Sequence, residues 1–149
     1  MFIREFEPRD QRQACSLIVE GLGEHFGFID GSRNPDLEDI YSNYLGQGHL
    51  FFVAEVDAQL VGSAGLLLQS ASEARVVRMS VDRTHRRRGI ATALLDRLVA
   101  EAGRRSICTL VVATEPHWQA AIGLYRRYGF VPYGRDAVDV HMQLRLRTG

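Results

Sequence analysis

The sequence has no lysine, only two cysteines, no net charge, no low-complexity tract and no apolar run close to the roughly 20 residues a bilayer-spanning helix needs. Without such a run, and with Met1-Phe2-Ile3-Arg4-Glu5 unlike a signal peptide, the chain is expected to be cytoplasmic and to have no membrane partner. Cys15 and Cys108 sit in apolar segments and form no metal-like spacing with the five histidines. A disulfide framework and a metal site are therefore not expected, and both thiols should be buried. With 46% hydrophobic and 24% charged residues, disorder is not expected. No internal repeat or linker divides the 149 residues, so residues 1–149 are read as a single domain large enough to bury a core. Every cationic side chain is arginine; base composition is sufficient reason for that, and no function is drawn from it.

The zero net charge conceals an asymmetry. Residues 1–57 hold 11 acidic residues against 4 arginines, and residues 58–149 hold 7 against 14, so the two parts carry −7 and +7. Two ligands of opposite sign would suit such a chain, although charges scattered over solvated faces give the same sums.

Along the chain, Phe2-Ile3-Arg4-Glu5-Phe6 alternates as an edge strand does and ends at Pro8 and Asp10. Ala14, Cys15, Leu17, Ile18 and Leu22 recur at helical intervals until Gly21 and Gly23 stop them. Residues 23–36 read as an aromatic, acidic loop, after which Asp36 should cap a second helix carrying Leu37, Ile40, Tyr41 and Tyr44. Leu50–Val56 and Leu60–Leu68, separated by Asp57-Ala58-Gln59, imply a hairpin, and Arg75–Val81 a third antiparallel strand. Ile107–Ala113 is near-continuously apolar, as for a strand buried on both faces and parallel to the one before the preceding helix. Thr114-Glu115-Pro116 should start a helix bearing Trp118, Ala121, Ile122, Tyr125 and Tyr128 on one stripe, and two strands joined through Gly134 close the chain. These elements make a mixed sheet with helices on both faces.

The most informative stretch is the turn Arg83-Thr84-His85-Arg86-Arg87-Arg88-Gly89, which opens a helix with apolar residues at Ile90, Leu94, Leu95, Leu98 and Val99. A helix N-terminus presents unpaired N–H groups and the positive end of the helix dipole, so an anion is favoured there. Gly89 lets a phosphate oxygen approach the backbone, and the arginines add charge. A solvated basic turn or a nucleic-acid contact is the competing reading, weakened by the absence of a basic excess or interleaved aromatics.

Arg86, Gly89 and Ala91 fill the pattern Gln/Arg-x-x-Gly-x-Gly/Ala between a strand and a helix, and Leu124-Tyr125-Arg126-Arg127-Tyr128-Gly129-Phe130 supplies a second motif. Together they resemble the GNAT superfamily of N-acetyltransferases over residues 75–133. The resemblance implies an α/β (α+β) fold: a mixed, mostly antiparallel sheet of six to seven strands, helices on both faces and a splayed central parallel strand pair. It implies acetyl-CoA as co-substrate, its pyrophosphate held by Arg86, Arg87, Arg88, Gly89, Ile90, Ala91 and Thr92 and its pantetheine arm along Met79 and Val81. It implies direct attack of an amine on the thioester, with Tyr125 as general acid; a core aromatic is the plainer reading of that tyrosine. The carboxylate many members carry six residues before the position of Val81 is replaced by Arg75. Glu115 and Glu73 are the alternative bases, against the plainer roles of helix cap and turn residue. The acceptor, a small-molecule or peptide amine, is expected against Glu20, Glu24, Asp30, Asp36, Glu38 and Asp39 with Phe26, Phe28, Tyr41 and Tyr44, unless these form an ordinary solvated helix pair. A noncatalytic acyl-CoA sensor and a nucleic-acid-binding protein are the other readings, neither nucleic acid nor metal being expected, and a homodimer stays open.

Overall fold

A computed structural model describes residues 1–26 and 34–146. It contains β1 (Phe2–Glu5), α1 (Gln11–Phe26), α2 (Ile40–Asn43), β2 (Leu50–Val56), β3 (Gln59–Leu68), β4 (Glu73–Val81), α3 (Ile90–Arg104), β5 (Thr109–Thr114), α4 (Gln119–Tyr128), β6 (Val131–Arg135) and β7 (Val140–Arg145). The strands form one seven-stranded sheet in the order β1-β2-β3-β4-β5-β7-β6. Every pairing is antiparallel except β4 with β5, which the crossover helix α3 connects. No described helix is long and apolar enough to cross a membrane.

Strand alternation sorts the core into two layers. In β2, Leu50, Phe52 and Ala54 turn toward α3 and α4, where they meet Ile90, Leu94, Leu95, Leu98 and Tyr125. Phe51 and Val53 turn the other way, against Phe6, Ala14, Ile18, Ile40 and Tyr44. Buried on both faces, β2 is apolar at consecutive positions, whereas β1 at the sheet edge is nowhere fully buried and its burial does not follow the alternation of its sequence. The β2–β3 hairpin turns through Asp57 and Ala58, both with positive φ (50° and 64°), as a tight two-residue turn requires.

Gly62 of β3 ties this packing to the helix that follows the basic turn. A Cβ there would lie 2.9 Å from Ile90 Cγ2 and 3.0 Å from Leu94 Cδ1. Gly62→Val is therefore expected to lower unfolding free energy by about 1–3 kcal/mol through overpacking, read as a reduced midpoint in urea. An unchanged midpoint would show that α3 can move away freely.

β4 is not regular. Ser63 pairs with Ser80 but Gly65 with Val77, so Arg78 and Met79 both oppose Ala64. Arg78 adopts φ 52°, and the buried Ser63 hydroxyl donates to its carbonyl at 2.8 Å. This bulge changes the face each later residue takes. Ala74, Val76, Met79 and Val81 pack on the α3 side, while Val77 faces the α1 layer, Arg78 reaches Asp36 and Ser80 lies against α1 at Gly21. In a regular strand Arg78 would follow Ala74 and Val76 into the apolar core.

Several boundaries differ from those read in the sequence. α1 continues through Gly21 and Gly23, because its packing on β3 and β4 outweighs their low helix propensity. The second helix is a single turn capped by Asp39, whose Oδ1 accepts from the Ser42 N–H; Asp36 is engaged elsewhere. α4 starts at Gln119 and not at Pro116, because Glu115 Oε2 and the Glu115 carbonyl accept from the N–H groups of His117 and Trp118 in a turn first. Gly134 lies inside β6, and the reversal belongs to Asp136, whose Oδ1 accepts from the N–H groups of Val138 and Asp139. Cys15 and Cys108 are half-buried free thiols, not fully buried ones.

Candidate active site

β4 and β5 pair only from Glu73 with Thr109 to Arg75 with Val111, and then diverge. One edge of β4 from Val76 to Val81 is thus left without a ladder partner on β5, and a cleft of about 1350 Å³ opens there. Its walls come from α1, the bulged β4, the basic turn, the start of α3, the end of β5 and α4. A single small ligand fills roughly 300–1,000 Å³, so the cleft has room for two reactants. Met79 and Val81 line it, as expected of residues beside an extended ligand.

At one end of the cleft, α3 begins with Gly89 at its N-cap in the left-handed region (φ 79°), after Arg87, also left-handed (φ 63°). Among the described residues no side chain caps this terminus, and a Cβ on Gly89 would meet nothing within 4 Å. The first-turn N–H groups have no intrahelical carbonyl to pair with, so they remain donors for a ligand. Buried Ile90, Leu94, Leu95 and Leu98 hold the helix against the sheet, and Asp82 braces the turn by bonding Thr84 Oγ1 at 2.6 Å and His85 Nδ1 at 2.8 Å. Arg87, Gly89, Ile90, Ala91 and Thr92 line the cleft; Arg88 is exposed and does not. Arg86 also lines it, but its Nη1 pairs with Glu24 of α1 at 2.8 Å and its Nε donates to the Val81 carbonyl at 3.2 Å. Arg86 thus braces the cradle, and Arg87 carries its uncompensated charge. The open N-terminus and Arg87 suit a phosphate group.

Tyr125 lines the same cleft although only 5% of its surface is exposed. Its ring packs edge-on against Phe130 at 5.3 Å, and its hydroxyl has no hydrogen-bond partner among the described residues. Burial alone pushes the phenol well above its ordinary value, so it stays protonated at neutral and mildly alkaline pH. Glu115 lies just past β5, its Oε1 2.8 Å from His117 Nδ1, and is not on the cleft wall. Glu73 is not on that wall either.

The acidic surface expected to receive the acceptor is not assembled as such. Among its described members only Glu24, Asp36 and Tyr44 reach the cleft. Glu20 and Glu38 are exposed, Asp39 caps α2 and Tyr41 is 44% exposed. Phe28 and Asp30, and the Phe26 side chain, lie outside the description. Glu24 is paired with Arg86, and Asp36 is gripped by Arg78 through Nε–Oδ2 (3.0 Å) and Nη2–Oδ1 (2.8 Å), with the Tyr44 hydroxyl donating to Oδ2 at 2.6 Å. Burial raises the Asp36 pKa, but Arg78 and Tyr44 together hold it below the usual carboxylate value; Tyr44 is pushed up by burial and by the Asp36 charge. The Arg78–Asp36 pair had no sequence signal, being 42 residues apart and dependent on the bulge.

Comparison with known proteins agrees with this geometry. The family described as acetyltransferase (GNAT) domain matches residues 47–132. Human N-acetyltransferase 8B is 32% identical over 123 residues, covering 78% of this chain and 54% of that protein; the chain spans about half the length of the curated relatives it matches. A GNAT-family acetyltransferase from Staphylococcus aureus Mu50 superposes with a TM-score of 0.89 at 24% identity, covering 98% of this chain and 99% of that one. The PaiA N-acetyltransferase from Thermoplasma acidophilum, in complex with coenzyme A, gives 0.84 at 17% identity, covering 97% and 98%. With the family match spanning more than half its length, and the splayed strands and Gly89 turn in place, the chain belongs to the GNAT acetyltransferase family.

Proposed function

We propose that the protein is an N-acetyltransferase that moves the acetyl group of acetyl-CoA to a primary amine through a ternary complex. The observation that carries this reading is the convergence, in one cleft, of the open α3 N-terminus, the unpaired edge of β4 and the protonated Tyr125. The cradle at Arg87 and Gly89 suits the pyrophosphate, and the β4 edge at Met79 and Val81 suits the amide-rich pantetheine arm. The amine nitrogen then bonds to the thioester carbonyl carbon, with backbone N–H near Val81 favouring charge on the oxygen, and the carbon–sulfur bond breaks. Tyr125 supplies the proton to the departing thiolate, whose own pKa is about 8.5 by analogy with cysteine, and the proton that the nitrogen sheds on becoming an amide returns through solvent to the Tyr125 phenolate.

Both carboxylates on the described cleft wall are bound to arginines, so the acceptor loses its proton to solvent, before or during attack, without an enzymic base. The kcat/KM profile is therefore expected to rise with pH up to the acceptor's own amine pKa and to stay level above it. The burial-raised Tyr125 keeps any falling limb above its ordinary value near 10. Acceptors of different basicity should displace the rising limb, and a limb fixed regardless of acceptor would reveal an enzymic base.

The direct test combines two measurements. Acetyl-CoA should raise the melting temperature, and thiol release should depend on an added amine. Stabilisation without turnover on any amine would assign a CoA sensor; no stabilisation would remove the CoA reading altogether.

A further inference from the structure

The charge balance of the cleft points to the acceptor's chemistry, on the reading that the cleft is an acetyl-transfer site. Its described wall holds five arginines, at positions 75, 78, 86, 87 and 127, against two carboxylates. Arg78 and Arg86 are each neutralised by one of those carboxylates. Arg87 stands in the phosphate cradle, and the Arg127 guanidinium folds back over Gly123 of its own helix. Arg75 is different. It occupies the last position at which β4 still pairs with β5, at the closed end of the splay and on the face that Val77 and Arg78 turn toward the α1 layer. The Gln69 amide, oriented to satisfy both neighbours, donates to Glu73 Oε2 at 3.1 Å and accepts from Arg75 Nε at 3.1 Å. Both terminal nitrogens of Arg75 have no partner, and no carboxylate lies within ion-pair distance of it, among the described residues.

We propose that Arg75 binds a carboxylate of the acceptor, so that the substrate is an α-amino acid or a small molecule that keeps the free amine and carboxylate of one. A guanidinium offers two parallel N–H donors that match a carboxylate, a geometry wasted on an ammonium group. The net positive wall attracts such a molecule and repels a polycation, giving discrimination by repulsion as well as by contact.

The test measures kcat/KM for acetyl-CoA-dependent thiol release with a set of L-amino acids, their α-amides and spermidine. The acids are expected to exceed their amides by about tenfold to a hundredfold, the range for a charge-assisted hydrogen-bonded pair, and spermidine to be the poorest. Arg75→Gln should bring the acid-to-amide ratio to about one by raising KM for the acids, and Arg75→Lys should restore part of it. Equal rates on acid and amide, a preference for spermidine, or no turnover of any acid overturns the assignment. Thermal stabilisation by acetyl-CoA is scored separately, so loss of this inference leaves the acetyltransferase reading standing, and loss of that stabilisation removes both.

Discussion

Tyr125→Phe lowers kcat by about a hundredfold or more, leaves the Kd for acetyl-CoA within about twofold, and leaves stability unchanged or slightly raised; this is the result expected if the phenol is the proton donor. The reasoning is differential. The ring packs on Phe130 within the apolar cluster of α3 and β5, and phenylalanine keeps that packing. The hydroxyl has no hydrogen-bond partner among the described residues, so its removal deletes no internal bond. What disappears is a proton held, by burial, on a group facing the cleft. Departure of the thiolate without a donor then limits the rate, while CoA contacts through its phosphates and pantetheine persist. Turnover unchanged in Tyr125→Phe would return the residue to the core, and a parallel loss of CoA affinity would mark it as a binding contact. Single-turnover measurement at saturating acetyl-CoA separates the chemical step from product release.

The sequence disclosed what depends on local spacing. The strand, basic turn and helix at residues 75–99 carry their own periodicity and turn chemistry, and the near-continuous apolar run before Thr114 announced a parallel strand buried on both faces. The place of Tyr125 beside the cleft was legible because it lies inside a second motif, residues 124–130. The acceptor side was not legible, for two physical reasons. The β4 bulge inserts one residue without a glycine or proline to signal it, so Arg78, which a regular alternation sends into the core, meets Asp36 instead. Composition gives the count of acidic residues but not their pairing: Glu24 and Asp36 looked like a landing place for an ammonium group, and both are already matched by arginines from distant segments. Arg86 shows the same limit in the cradle, where a residue read as a phosphate ligand also ties α1 to the end of β4.

The Arg78–Asp36 pair makes the second large effect calculable. Arg78→Ala is expected to lower unfolding free energy at pH 7 by about 2–3 kcal/mol, because among the described residues it leaves a half-buried carboxylate with only the Tyr44 hydroxyl as a side-chain donor. Alanine retains the left-handed backbone at this position, which costs a non-glycine residue about 1–2 kcal/mol. Arg78→Gly removes that strain but adds chain entropy to the unfolded state, so it should be more stable than the alanine variant by about 0.5–1 kcal/mol. Equal losses for the two would show that the backbone at Arg78 is not strained. The dependence on pH has a definite sign. Asp36 has a folded pKa below its unfolded one, so its pairing stabilises fully above the unfolded value and is lost as pH falls through the folded value. The gap between wild type and Arg78→Ala should accordingly be widest above about pH 5 and shrink below about pH 4. Urea unfolding at pH 7 and pH 3 measures it: a gap of the same size at both values would show that packing of the arginine stem, and not the ion pair, holds β4 to the segment before α2.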